Sequence, residues 1–228
     1  VPLPAARKGE LKITLRKTTD DAELAFQEAE RLSTVDRDKA IAAYKRAISL
    51  RPGMVDAFIA IARNYTEMGD YDAAQQAISD VRKVKAGLAE ASAVEGRIFK
   101  ESGFEDKAIA SFKRAIYEGK GFQPEAYAGL GLLYKERAEG FGGAGDFTQE
   151  SANYAEALKY LAKSLKQLSG APDSIVIYQL VGLIYEREQR YDDAIAIYDE
   201  FLQIFPDSSE ATAVRSFITQ IKKRRSGQ

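Results

Sequence analysis

Histidine, cysteine and tryptophan are all absent from the 228 residues. Without histidine there is no imidazole general base, no Ser-His pair and none of the commonest metal ligand. Without cysteine there is no disulfide, zinc-thiolate site or thiol nucleophile, and the chain suits an oxidising or a reducing compartment equally. A charge excess is lacking too: 33 Lys and Arg stand against 34 Asp and Glu, which speaks against a general polyanion binder. No apolar run approaches the roughly 18 residues of a membrane span, so no direct membrane insertion is expected. What is present is a chain with 45% hydrophobic residues, enough for one continuous core and no second domain.

That apolar content is periodic. Ala40, Ala74 and Ala108 follow one another at intervals of 34, and Tyr44, Ile78 and Phe112 each fall four residues after the alanine. Upstream, Phe58, Ile61, Ala62, Tyr65 and Gly69 have the same offsets as Ser92, Glu95, Gly96, Phe99 and Gly103. Two further copies appear at Tyr127, Leu130, Gly131, Tyr134 with Ala157 and Leu161, and at Tyr178, Val181, Gly182, Tyr185 with Ala194, Tyr198 and Pro206. The small residue precedes its alanine by 12 positions in three units and by 26 in the fourth. The extra 14 residues are assigned to Ala138–Ser151, AEGFGGAGDFTQES, whose glycines predict a mobile loop displaying Phe141 and Phe147. In the first unit Ala25, Ala29 and Leu32 still form an apolar stripe, so its first helix is expected as well.

The pattern resembles the tetratricopeptide repeat, a pair of antiparallel helices with a large, an aliphatic, a small and a tyrosine position on the first helix, and alanine and an aromatic on the second. Small residues such as Ala62 with Ala74, or Gly96 with Ala108, allow two helices to approach where they cross. The resemblance implies an all-α fold, a right-handed α-solenoid of about five helix pairs over residues 21–207. Ala211, Val214, Phe217, Ile218 and Ile221 form one apolar face in residues 208–228, which predicts a C-terminal capping helix ahead of a basic tail. Residues 1–20 hold two prolines and a brief alternation at Leu11, Ile13 and Leu15. They read as an extended arm or linker, either joining something upstream of Val1 or lying along the solenoid or a partner's sheet edge.

In proteins of this kind first helices line a groove that receives a peptide or helix of another protein. Carried onto this chain, the groove-facing phase selects Ile59, Arg63, Thr66, Arg97, Lys100, Leu132, Lys135, Gln179, Leu183 and Glu186. The basic members imply an acidic partner segment. The expected function is a protein–protein interaction scaffold serving the assembly of a larger complex; the alternative is a substrate-binding or regulatory module of an enzyme whose catalytic part lies outside this chain. The last repeat, YDDAIAIYDEFLQIFPDSSEA, resembles those of bacterial envelope-assembly proteins, which implies an exported or periplasmic protein, a cytoplasmic one being the alternative.

No catalytic, cofactor-binding or metal-binding residue is expected. Glu67, Glu101 and Glu136 recur at repeat spacing, as a solvated ladder does. Gly140–Gly145 matches the dinucleotide-binding glycine fingerprint, but that motif requires a preceding strand and here it follows a helix. Lys222, Lys223, Arg224 and Arg225 complement the dipole of a last helical turn rather than mark a nucleic-acid patch.

Overall fold

The computed structural model describes residues 18–168 and 170–225. Through them run eleven α-helices and no strand: α1 (Asp21–Leu32), α2 (Arg37–Leu50), α3 (Val55–Met68), α4 (Tyr71–Val84), α5 (Ala89–Glu101), α6 (Glu105–Glu118), α7 (Pro124–Gly143), α8 (Phe147–Leu168), α9 (Ser174–Arg187), α10 (Tyr191–Ile204) and α11 (Ala211–Arg225). The chain is thus an all-α helical repeat. Of the arm expected at residues 1–20, the part up to residue 17 lies outside the described residues, as does the end of the tail from residue 226.

Two compact units divide at Ala57 and Phe58. The first holds the α1/α2 hairpin. Ala22, Ala25 and Ala29 of α1 are buried, and so are Ala40, Ala43, Tyr44 and Ala47 of α2, so alanines make the helix–helix contact. Phe26 meets the Tyr44 ring edge-on and the Tyr44 hydroxyl donates to Glu30. Asp20 caps α1 by accepting from the amides of Ala22 and Glu23, and Asp36 caps α2 through that of Lys39.

In the second unit hairpins stack so that each second helix also touches the first helix that follows it: α4 on α5, α6 on α7 and α8 on α9. The small residue of each first helix explains the close crossing. A Cβ on Gly96 would lie 2.6 Å from Phe112 Cδ1, and one on Gly131 would lie 2.6 Å from Leu161 Cγ. Gly182 takes Tyr198 in the same way. The alanines opposite, Ala108, Ala157 and Ala194, are fully buried. At the end of the array α11 lays Val214, Ile218 and Ile221 against Tyr178, Tyr198 and Phe201, while Phe217 stays partly exposed. Arg224 and Arg225 of its last turn reach Glu186 and Asp192.

The glycine-rich stretch is not a loop. Helix α7 continues through Gly140, Gly142 and Gly143, and α8 begins at Phe147. They span 20 and 22 residues where their neighbours α5, α6, α9 and α10 span 13 or 14. Only Gly145 turns the chain, at φ 82°, and the amide of Asp146 then donates to Phe141 O at 2.9 Å. The same turn closes the ordinary hairpins: Gly69 at φ 76° with Asp70 N to Tyr65 O, Gly103 at φ 80° with Phe104 N to Phe99 O, and Gln189 at φ 58° with Arg190 N to Tyr185 O. From the small residue to this turn takes 7 residues in the ordinary hairpins and 14 in the long one; from the turn to the alanine takes 5 and 12. The insertion is therefore split evenly, 7 residues into each helix, which is within about 20° of two full turns. Each helix keeps its buried face through the added length: Ala138 and Glu150 are both buried.

Candidate functional site

The first helices α3, α5, α7 and α9 present charged side chains at equivalent positions, and these side chains are joined across helices. Arg63 of α3 makes a two-point contact with Glu125 of α7, at 2.8 and 2.7 Å, and reaches Glu90 of α5 at 3.3 Å. Arg97 of α5 bonds Glu67 of α3. Lys100 of α5 lies 2.8 Å from Glu136 of α7 and 3.6 Å from Glu101. Burial works against the charge of Arg63 and of Lys100, yet the carboxylates beside them more than offset it and hold both above their ordinary values. The basic row expected to face a partner is thus already partnered inside the array.

Ile59 and Thr66 offer almost no surface to a partner. Both are buried, and the Thr66 hydroxyl donates back to Ala62 O at 2.7 Å. Leu132 and Gln179 are half-buried, and Glu186 accepts from the Tyr198 hydroxyl at 3.1 Å. Leu183 is different: it is 53% exposed, between the buried Gly182 and Ile184. Phe141 and Phe147 are exposed, at 37% and 67%, close to the hairpin turn rather than on a loop.

Between α7, α8 and α9 lies an open cleft of about 560 Å³, lined by Lys135, Glu139, Gly142, Gly143, Glu150, Tyr154, Leu183, Ile184 and Arg187. Its wall on α7 and its end on α8 come from the added turns. Glu150 is 5% exposed and lies against the backbone of Gly142, where a Cβ would come within 2.5 Å of its carboxyl carbon. Arg187 Nε donates to Glu150 Oε1 at 2.7 Å, and this bond holds the guanidinium above its ordinary value. Below them Tyr154 is buried; burial first, then Glu139 and Glu150, raise its hydroxyl, against the opposing pull of Arg187. Lys135 Nζ is 2.6 Å from Glu139 across one turn of α7.

Sequence reasoning placed Lys135 and Leu183 here but missed Glu139, Gly142, Glu150 and Tyr154. A usable signal existed. The pair Gly145-Asp146 repeats Gly69-Asp70, including the aspartate that caps the next helix, and aligning the two turns restores helical phase from Lys135 through Glu139 to Gly142.

Family models of the tetratricopeptide repeat match residues 35–98 and 178–208. No curated protein matches the sequence as a relative. Among solved structures, the chain is similar to yeast Tom70 with a TM-score of 0.70 at 16% identity, covering 90% of this chain and 41% of that one. It is similar to pilF of Pseudomonas aeruginosa with a TM-score of 0.62 at 15% identity over 90% and 86% of the two chains. A thermophilic repeat protein of Thermus thermophilus gives 0.61 at 16% identity over 88% and 98%. At these identities the likeness is one of fold.

Proposed function

We propose that this chain, a tetratricopeptide-repeat protein, holds a peptide or helical segment of another protein along the face of α5, α7 and α9 and thereby serves the assembly of a larger complex. Its repeats make it a protein–protein interaction module. The observation that carries the finer reading is the contrast along that face. Ion pairs between successive helices hold α3, α5 and α7 in register, whereas α9 leaves Leu183 bare beside Arg187. A stiff, pre-ordered surface loses little entropy on binding, so a modest contact area suffices for a specific segment. Arg63, Arg97, Lys100 and Lys135 are paired and 15 to 37% exposed, so the preference for an acidic segment rests on Arg187, which is paired with Glu150 but 56% exposed.

A photoreactive benzophenone side chain placed in turn at Leu132, at Leu183 and, as a second-helix control, at Lys163 tests this reading in the native host. The expected result is a crosslink to one segment of one protein from the first two positions and none from the third. Equal crosslinking from Lys163 would overturn the assignment of the face.

A further inference from the structure

The added turns of α7 and α8 build a wall that a hairpin of ordinary length lacks, and behind it an acid is fixed where only glycine allows it. Glu150 rests on Gly142 with 7% of its side chain exposed, and it engages Arg187 through Nε. The Arg187 side chain lines the cleft beside Tyr154 and remains 56% exposed. A guanidinium with five donors, bonded to Glu150 through Nε and still more than half exposed, has donors to offer a second carboxylate. Leu183 lies four residues earlier on α9, hence on the same face and about 6 Å away between Cβ atoms. An apolar floor and a charged anchor are thereby spaced as neighbouring side chains of a bound segment are.

Resting on the reading that this face holds a partner segment, we infer that the cleft is its specificity pocket. A bulky apolar residue of the segment packs on Leu183, and an aspartate or glutamate within three residues of it binds Arg187. Acid is favoured over base because both carboxylates lining the cleft, Glu139 and Glu150, already have a cation, while Arg187 retains donors. A side-chain carboxylate is favoured over a chain terminus because the rest of the lining, Lys135, Gly142, Gly143, Tyr154, Leu183 and Ile184, adds one cation, itself paired with Glu139, and no amide side chain to receive a terminal carboxylate. The cleft is open along one side, which suits a side chain on a continuing backbone.

A phage-displayed library of random twelve-residue peptides, selected on the full chain, tests the inference. Enriched sequences are synthesised with amidated and with free C-termini and titrated by fluorescence anisotropy. The expected peptides carry Asp or Glu within three residues of Leu, Ile or Phe, and lose at least about tenfold in affinity on Leu183→Ser and on Arg187→Gln. Changing the peptide's acid to its amide should weaken binding to the wild type and leave binding to Arg187→Gln unaltered. Leu183→Ser alters an exposed residue, so it keeps the test valid should Arg187→Gln fail to fold; circular dichroism checks both. Peptides that are basic beside the apolar residue, or that bind only with a free C-terminus, overturn the pocket chemistry. Peptides sensitive to Leu132→Ser and indifferent to both cleft variants overturn the pocket and leave the face as the binding site. Failure to enrich any peptide overturns the face and the pocket together.

Discussion

The α9/α10 and α7/α8 hairpins start from one kind of crossing and end differently. In each a glycine of the first helix receives a large side chain of the second, Tyr198 over Gly182 and Leu161 over Gly131. From there α9 stops at Arg187, while α7 runs two turns further before the Gly145 turn. The lesson is that crossing and length are set separately. Volume at one contact fixes where the helices meet, and the left-handed residue, Gln189 in one hairpin and Gly145 in the other, marks where they stop. Because 7 residues nearly complete two turns, length was added without rotating either buried face, and the added turns became a wall of the cleft.

The shared crossing is the part whose loss costs most. Gly131→Leu and Gly182→Leu should destabilise by about 1 to 3 kcal/mol or more, since they drive a side chain into Leu161 and Tyr198 respectively. For a chain of this size that lowers the melting temperature by roughly 2 to 4 °C per kcal/mol. An unchanged melt for either variant would break the equivalence of the two hairpins.

Both hairpins carry raised tyrosines, Tyr154 and Tyr160 in the long one, and a single substitution reads the contribution of the short one. In α9/α10 the hydroxyls of Tyr178 and Tyr198 donate to Glu200 and Glu186, and burial first, then those carboxylates, push both well above the ordinary tyrosine value of 10.0. Tyr44 and Glu30 repeat the arrangement in the first unit. A raised folded-state value means full stability below the unfolded value and a progressive loss as pH climbs past it. With no histidine or cysteine in the chain, no side-chain type present has its ordinary titration range near neutrality. Thermal melts should therefore be nearly flat from about pH 6 to pH 9 and fall above about pH 10. Tyr198→Phe, judged against its own neutral-pH value, should lessen the alkaline fall; a fall of the same depth would remove that tyrosine from the account.

The long hairpin is tested more finely by its glycines. At Gly140 an added Cβ meets nothing within 4 Å, so Gly140→Ala in a helix should gain about 0.5 to 1 kcal/mol. Gly142→Ala presses on Glu150 and should lower the melting temperature instead. Opposite signs at two glycines two residues apart fit a packed helix; no change at either fits a loop.

Much of this was legible in the sequence. The 34-residue interval located the hairpins, and the small residues at 96, 131 and 182 located the crossings, because helix approach depends on local volume that a residue name states directly. The Ala138–Ser151 stretch misled because glycine weakens helix propensity whatever its surroundings. Packing along α8 and the Glu150–Arg187 bond, both tertiary, decided the outcome. Groove residues fared unevenly for a related reason. Phase along a helix tells which side chains share a face, but not which of them the neighbouring helix consumes. Arg97 and Lys100 hold the expected positions and are spent on Glu67 and Glu136.

That pairing supplies the smallest effect and the finest distinction between the two regions. Arg97 and Glu67 are 37% and 40% exposed, so the bond between them is worth about 0 to 1 kcal/mol. Arg97→Glu removes it and sets two carboxylates against each other across α3 and α5, while Arg187→Gln uncovers a carboxylate that water reaches poorly. The first defect is a surface repulsion, which salt screens: its small melting deficit should shrink as salt is raised from about 0.01 to 1 M, where the Debye length falls from roughly 30 to 3 Å. The second is loss of a charge partner for buried Glu150, which screening repairs little. Melting both variants across that salt range reads the difference. Parallel recovery of the two would mean that Glu150 is as well solvated as Glu67, and the added turns would then have built no shielded wall.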